Sequence, residues 1–471
     1  MALQEQTYDV VVIGGGPVGE NVAQYAIEGT ELTAAIVEAE LVGGECSYYA
    51  CVPSKVLLHP VEVAATTTSG VGVTPTAVDV ARTLERRDEW VSGYDDAGQV
   101  DWAHSEGIDV IRGHGRLVAE RTVEVAADGV VQRLRARHAV VIATGSTPTV
   151  PDLYAEARPW GSRDVTGVVE VPERLAVIGG GVVACEAATW MVGLGSAVTV
   201  LVRDDRLLSR QEEVASTTVL QALRDRGCDV RLGTEVVAVE RPGAADTGLG
   251  RVHGGPVTLT TAEGPVVADE VLVATGRRPR LDDLGLDAIG LTPEDVGDGA
   301  GLPAWLHVVG DASGEAPLTH WGKYRARVIG ARIAAAVTGT PPPNEPEGIP
   351  VPQVIFTDPQ VAMVGRTERE AREAGHDVVV ADVGADAVTG TALLREQVSG
   401  GARLVVDRST GLLLGATFVG PGVADLVHAG TVAIVGRVPV HVLRHAVPSF
   451  PAASELWLRL LEALPRELRV P

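Results

Sequence analysis

Residues 8–38 read YDVVVIGGGPVGENVAQYAIEGTELTAAIVE, and this stretch decides the fold. An apolar run over 8–13 predicts a strand, Gly14-Gly15-Gly16-Pro17-Val18-Gly19 a tight turn, and the stretch from about 20 to 27 a helix. A second apolar run over 32–37 predicts a strand that ends on Glu38. In that order the elements make a βαβ unit. The N-terminus of its helix can present backbone N–H groups to a pyrophosphate, and the acid falls at the distance of a ribose hydroxyl.

The unit recurs, with a strand at 175–178, the turn Gly179-Gly180-Gly181-Val182-Val183-Ala184, and the next strand at 197–202. One glycine-rich turn alone is weak evidence, but here each copy follows a strand, opens a helix and precedes a second strand. Glu38 and Arg203 stand at the same offset, 24 residues, from Gly14 and Gly179. A carboxylate accepts from free ribose hydroxyls, whereas a guanidinium suits a 2′-phosphate. The first site therefore leans toward an unphosphorylated adenosine such as that of FAD, and the second, with Ala184 in its third glycine position, toward NADP(H). Asp204 and Asp205 oppose that lean, so NAD(H) stays open, as does a solvated Arg203.

Two further apolar runs end in Ala143-Thr144-Gly145 and Ala274-Thr275-Gly276. A third, 306–309, ends in Gly310-Asp311 and leads into a helix expected over about 321–336. The tract 338–350, with Pro341-Pro342-Pro343, reads as a linker. Strand-like runs at 354–356, 402–406 and 412–419 alternate beyond it with helical stretches, as in a separate α+β domain.

Behind the Glu38 strand comes Gly43-Gly44-Glu45-Cys46-Ser47-Tyr48-Tyr49-Ala50-Cys51-Val52-Pro53-Ser54-Lys55, which that position sets beside the flavin of the first unit. Two thiols with four residues between them can close a disulfide on a bent or helical segment, and a helix terminus with a nearby ammonium stabilises a thiolate. Zinc binding and a purely structural disulfide are the competing readings. The remaining cysteines, Cys185 and Cys228, form no second ligand pair and are expected in the core, so no metal site is expected. Of 39 basic residues only Lys55 and Lys323 are lysines, which makes a lysine beside the cysteines notable.

The 471 residues exceed one ordinary core, and 45% apolar against 21% charged residues is a globular composition. A formal charge of −23 disfavours nucleic acid and anionic membranes as partners. With no apolar run long enough to span a bilayer and no signal-like start, a cytoplasmic protein acting on small molecules is expected.

On these motifs, with VVGDAS and LTH after it, FTDPQVAMVG and SFPAASELWLRLLEAL, the sequence resembles the group I pyridine nucleotide-disulfide oxidoreductases, the family of lipoamide dehydrogenase, glutathione reductase and mercuric reductase. The resemblance implies an α/β chain with two Rossmann-like dinucleotide-binding domains and a C-terminal α+β interface domain. The FAD-binding domain would take 1–160 and 284–345, the NAD(P)H-binding domain 161–283 and the dimerisation domain 346–471. It also implies a homodimer that uses FAD and NADP(H) or NAD(H). Cys46 would be the thiol that meets substrate, Cys51 the thiol facing the flavin, and Lys55 would pair with Glu186. Gly14, Gly16, Gly19, Glu38, Gly44, Lys55, Gly115, Thr144, Gly145, Gly310, Asp311 and Thr319 would line the FAD site. Gly179, Gly181, Ala184, Arg203, Val236 and Gly276 would line the nicotinamide nucleotide site.

Two departures stand out. Ser47-Tyr48-Tyr49-Ala50 replaces the small or amide side chains usual between the cysteines. In lipoamide dehydrogenase and glutathione reductase the C-terminal motif supplies a His, then Pro, with Glu five residues after the His. Here it reads Phe450-Pro451-Ala452-Ala453-Ser454-Glu455, so the acid-base histidine is missing while its orienting carboxylate remains. His445, five residues upstream, would need a different backbone path. The expected acceptors are therefore quinones, dyes or soft metal ions. Lipoamide dehydrogenase-like or other disulfide reduction is the alternative, and a flavin-bearing redox-sensing or scaffold protein the alternative of another class.

Overall fold

The structure of the chain is a computed structural model that describes residues 5–299 and 301–470. It divides into two compact units. The first comprises Met1–Pro53, Asp88–Thr149 and Gly276–Glu345, the second Ser54–Arg87, Val150–Thr275 and Pro346–Pro471.

The first unit is built on a mostly parallel sheet. Strands Ile108–Arg112, Ala34–Glu38, Glu5–Ile13 and Val130–Ile142 lie side by side, and Leu306–Val308 pairs parallel with the last. Val10 and Val12 belong to one apolar cluster, with Ala23, Ala26 and Ala326, while Val11 and Ile13 belong to another, with Leu117, Val123 and Leu134. Burial on both faces explains why these strands read as continuous apolar runs rather than alternating ones. The helix Pro17–Ile27 begins earlier than the pattern predicted because proline, lacking an N–H and fixed in φ, suits the first helical position. It packs against the long helix Thr319–Thr338. That helix starts before the expected residue 321 and ends at Gly339, whose φ of 75° is left-handed. A Cβ on Gly330 would stand 2.9 Å from the backbone N of Ala26, so glycine there lets the two helices touch.

In the second unit, strands Asp229–Arg231, Ala197–Leu201, Arg174–Ile178 and Glu270–Val273 form a parallel sheet in that order. Its helix Val182–Gly193 is buried nearly all round, with Cys185 in the core as expected and Cys228 likewise buried. An antiparallel sheet carries the C-terminal part in the order Gln353–Ile355, Gln360–Gly365, Leu413–Gly420, Gly401–Asp407 and Val378–Gly384. Helix Glu455–Ala463 lays Leu456, Trp457, Leu460 and Leu461 on that core, with the Trp457 ring centroid 5.0 Å from that of Phe418. Among the described residues no helix is long and apolar enough to cross a membrane.

Candidate active site

In the first unit the glycines define a cradle. Gly14 has a φ of 107°, and a Cβ there would strike the Ala143 carbonyl oxygen at 2.4 Å, so the turn closes directly on the end of the neighbouring strand. Gly16 has only the Gly44 Cα within reach of an added Cβ, at 3.9 Å, and Gly145 has nothing within 4 Å. The helix that Gly16 caps has no side-chain cap. Open space over unsatisfied N–H donors fits a pyrophosphate. Glu38 accepts from the backbone N–H of Gly15 at 2.7 Å through Oε2 and of Glu40 at 2.7 Å through Oε1, which fixes the carboxylate at the strand end. Gly115 is a packing residue, since a Cβ would meet Val37 Cγ1 at 2.9 Å.

The cysteine segment is tied to that cradle. Gly43 donates its N–H to the Gly15 carbonyl at 2.7 Å, and a Cβ on Gly44 would lie 2.7 Å from the Gly16 Cα. Val42 donates to Asp96, which Arg112 holds at 2.6 Å. Cys46 lies on the short helix Gly44–Tyr48, and Cys51 opens the helix Cys51–Thr68. The two sulfurs are in the thiol form, not joined as a disulfide. The Thr319 hydroxyl donates to Cys46 Sγ at 3.2 Å and lies 3.3 Å from Cys51 Sγ, so one hydroxyl at the start of a 20-residue helix spans both sulfurs. The hydrogen bond to Cys51, burial and the charge of a Cys51 thiolate all raise the Cys46 thiol, against the Thr319 hydrogen bond and the Lys323 ammonium. One thiol of the pair therefore ionises while the other keeps its proton.

Between the cysteines, Tyr48 is buried, with its hydroxyl 3.1 Å from Gln99 Oε1, and Tyr49 stacks on Tyr94 at a centroid distance of 5.3 Å. Asp311 accepts from the Ser146 hydroxyl at 2.5 Å, and Arg277 donates to Ser146 Oγ at 2.8 Å. Thr144 donates to the Arg280 carbonyl at 2.5 Å. Gly310 and Asp311 lie on a 3-10 turn after strand Leu306–Val308.

In the second unit, Gly179 repeats Gly14: φ is 121°, and an added Cβ would meet the Ala274 carbonyl oxygen at 2.5 Å. Gly181 caps its helix with nothing within 4 Å of an added Cβ, again open space over unsatisfied donors. Ala184 and Val236 are buried, and Arg203, Asp204 and Asp205 are exposed. Lys55 meets Glu186 at 2.7 Å. Glu186 is only 4% exposed, far from a surface carboxylate, and its second oxygen accepts the Phe356 backbone N–H at 2.8 Å. The Lys55 ammonium also sits 4.7 Å from the Phe356 ring centroid. In the C-terminal segment, Phe450 is 74% exposed and His445 exposed, while Glu455 is buried with Oε2 lacking a hydrogen-bond partner among the described residues.

With this geometry in hand, the chain can be set beside known proteins. Residues 8–297 match the family described as pyridine nucleotide-disulphide oxidoreductase, and residues 351–460 match its dimerisation domain. The chain belongs to this family. A mercuric reductase from Staphylococcus aureus is 30% identical over 436 residues, covering 91% of this chain and 77% of that one. A dihydrolipoyl dehydrogenase from Pseudomonas aeruginosa is 31% identical over 432 residues, covering 88% of this chain and 89% of that one. The HOCl-induced flavoprotein disulfide reductase RclA from Escherichia coli, solved as a Cu(II) complex, shares the fold at a TM-score of 0.82 and 21% identity, over 98% of this chain and 100% of that one. The protein is thus an NAD(P)H-dependent flavoprotein oxidoreductase of the pyridine nucleotide-disulphide family, in which FAD and a redox-active disulfide carry the electrons.

Sequence reading passed over two carboxylates of the first unit, Glu45 and Glu20. Glu45 lies 3.5 Å from Arg277 and 3.6 Å from Arg280. Glu20 has a buried Oε1 with no hydrogen-bond partner among the described residues. A signal for it existed: Glu20, Ala23 and Ile27 fall on one helical stripe, and the other two are buried, so a carboxylate there is out of place on an apolar face.

Proposed function

We propose that this oxidoreductase passes electrons from NADPH, through FAD and the Cys46/Cys51 pair, to a quinone-like, dye or metal acceptor, with Cys46 as the exchanging thiol. The observation that carries the reading is Phe450. It is an exposed aromatic side chain where lipoamide dehydrogenase and glutathione reductase place the histidine that handles protons in dithiol-disulfide exchange. FAD, when bound, accepts a two-electron equivalent from the nicotinamide. The chain's own residues hold the rest: Gly14, Gly16 and Glu38 the adenosine and pyrophosphate, Lys55 with Glu186 a fixed ammonium, and Thr319 the two sulfurs. Arg203 favours NADPH by reaching a 2′-phosphate. The reading takes residues 161–283 as the NAD(P)H-binding domain and 346–471 as the interface domain of a homodimer. The C-terminal segment of one copy then closes the Cys46 side of the other.

Acid-base groups typically contribute about 10²–10⁴-fold. Without one at position 450, small disulfides are expected to be poor substrates and quinones good ones, since an aromatic ring offers stacking and no proton. Phe450→His should raise kcat/KM for a small disulfide or lipoamide more than for a quinone, because Glu455 remains to orient an imidazole. The unmodified enzyme reducing lipoamide faster than any quinone tested would overturn the proposal. The second reading, disulfide reduction, is favoured by the buried Glu455, whose Oε2 has no hydrogen-bond partner among the described residues. Its prediction for the same assay is the opposite ratio. A redox-sensing scaffold would bind FAD and consume negligible NADPH with every acceptor.

A further inference from the structure

The residues between the two cysteines depart from the small or amide side chains usual there, and they bring aromatic rings to the redox loop. Of seven tyrosines in 471 residues, three, Tyr48, Tyr49 and Tyr94, gather at this loop. They fall into two kinds. Tyr48 is 2% exposed and structural: its hydroxyl donates to Gln99 Oε1 at 3.1 Å and lies 3.4 Å from the Asp95 carbonyl oxygen, which pins the cysteine loop to residues 95–99. Val42, donating its N–H to Asp96 at 2.7 Å, makes the same join from the other end. Tyr49 and Tyr94 are partly exposed, and their rings stack at 5.3 Å between centroids with 26° between the planes.

This stack is built against local backbone preference. Ser92, Gly93 and Tyr94 have φ values of 51°, 60° and 64°, so three successive residues occupy the left-handed region. Residues other than glycine adopt it uncommonly and keep it where their surroundings over-determine them. A loop that had only to connect would be served at position 94 by glycine. The Tyr94 N–H donates to the Val91 carbonyl at 2.8 Å and the Asp95 N–H to the Ser92 carbonyl at 3.1 Å, which closes the turn with the Tyr94 ring against Tyr49. Tyr49 ends the short helix that carries Cys46 and follows it by three residues, so the two Cβ atoms stand about 5–6 Å apart.

We propose that the Tyr49/Tyr94 ring pair is the docking platform for planar acceptors, quinones and ring-bearing dyes, holding them flat beside Cys46. The proposal rests on the reading of the enzyme as a reductase of such acceptors. Stacking asks for a rigid aromatic face and for no particular functional group, which suits ligands that share only a flat ring. The reduced pair, one thiol and one thiolate, gives up two electrons and one proton as its S–S bond closes. A quinone on the platform takes both electrons, that proton and a second proton from water, and leaves as hydroquinone. Neither tyrosine exchanges a proton; both are binding residues. Metal ions have no ring to stack and make no use of the platform.

The test is the ratio of kcat/KM for 1,4-naphthoquinone to kcat/KM for ferricyanide, an acceptor without a flat ring, measured on FAD-loaded enzyme with saturating NAD(P)H. Tyr94→Gly removes the ring at a φ that glycine adopts freely, and it should lower the ratio about fivefold through KM for the quinone, the scale of one aromatic stacking contact. Tyr94→Phe keeps the ring, drops the hydroxyl and should hold the parent's ratio. Tyr49→Leu should lower the ratio as Tyr94→Gly does. Unchanged ratios in Tyr94→Gly and Tyr49→Leu, in an enzyme that reduces the quinone, would overturn the platform and leave the quinone reading standing. A fall in Tyr94→Phe equal to that in Tyr94→Gly would trace the effect to the turn rather than the ring and sink the proposal as well. A parent enzyme with no quinone turnover would end both readings. Should Tyr49→Leu lose its flavin, the two Tyr94 variants decide: a fall in Tyr94→Gly that Tyr94→Phe escapes supports the platform, and no fall refutes it.

Discussion

At the third glycine position of the two fingerprint turns the chain carries Gly19 in one and Ala184 in the other. A Cβ on Gly19 would stand 1.9 Å from the Gly14 carbonyl oxygen, whereas the second turn accommodates the Ala184 methyl in full burial. The next residue differs more: Glu20 follows Gly19 and Cys185 follows Ala184. Cys185 is a buried thiol kept protonated by desolvation, then by Glu186 and Cys228, and Glu20 is a carboxylate under the same pressure. At the far strand, Glu38 is clamped by two backbone N–H groups while Arg203 lies exposed. The first turn is tight and preset, with no room for a methyl group. The second has slack, and its charged group is left for a ligand to order.

The sharpest way to break this contrast is Gly19→Ala. A backbone oxygen cannot yield as a flexible side chain does, so overpacking is expected to cost about 1–3 kcal/mol or more. The purified variant should show a lowered ratio of flavin to protein absorbance and a melting temperature several degrees down. Ala184→Gly should keep its flavin and lose only about 1 kcal/mol, the helix-propensity difference. Full flavin retention by Gly19→Ala would show that the first turn has the slack of the second.

Glu20 sharpens the comparison through pH. Below the ordinary carboxylate range the group is protonated whether the chain is folded or not. Between the ordinary glutamate value of 4.5 and the folded value of about 7, the unfolded chain has released the proton and the folded chain still holds it. The folded state then binds more protons, so stability falls as pH rises through that window and levels off above it. The loss is on the order of 3 kcal/mol at most. Denaturant midpoints measured at both edges of the window should differ for the parent and converge for Glu20→Gln. A parent whose stability is flat across the window would place Glu20 in contact with water.

The smallest expected effect concerns Arg203. Arg203→Glu should shift the ratio of kcat/KM values from NADPH toward NADH by about 1–3 kcal/mol, the scale of a charge-assisted contact. An unchanged ratio would mean that the exposed guanidinium stays in solvent and that the contrast with Glu38 has no functional side.

Sequence alone determined the repeated βαβ units, because the glycine spacing and the apolar runs act through local backbone geometry and through burial on both faces of a parallel strand. It also singled out the cysteine segment and the loss of a histidine at Phe450, which are facts of residue identity. It placed helix starts late, since the preference of Pro17 for the first turn and the packing of residues 319–338 lie outside the apolar pattern. What surrounds the reactive groups was decided only in three dimensions. Thr319 reaches Cys46 across 273 residues of chain, Glu186 reaches Lys55 across 131, and the second oxygen of Glu186 is satisfied by a backbone N–H that no side-chain pattern reveals. The burial of the Glu20 Oε1 follows from the same cause: its helix is seated by glycines and a valine in contact, and a charged group loses its water only when that packing has brought neighbours over it.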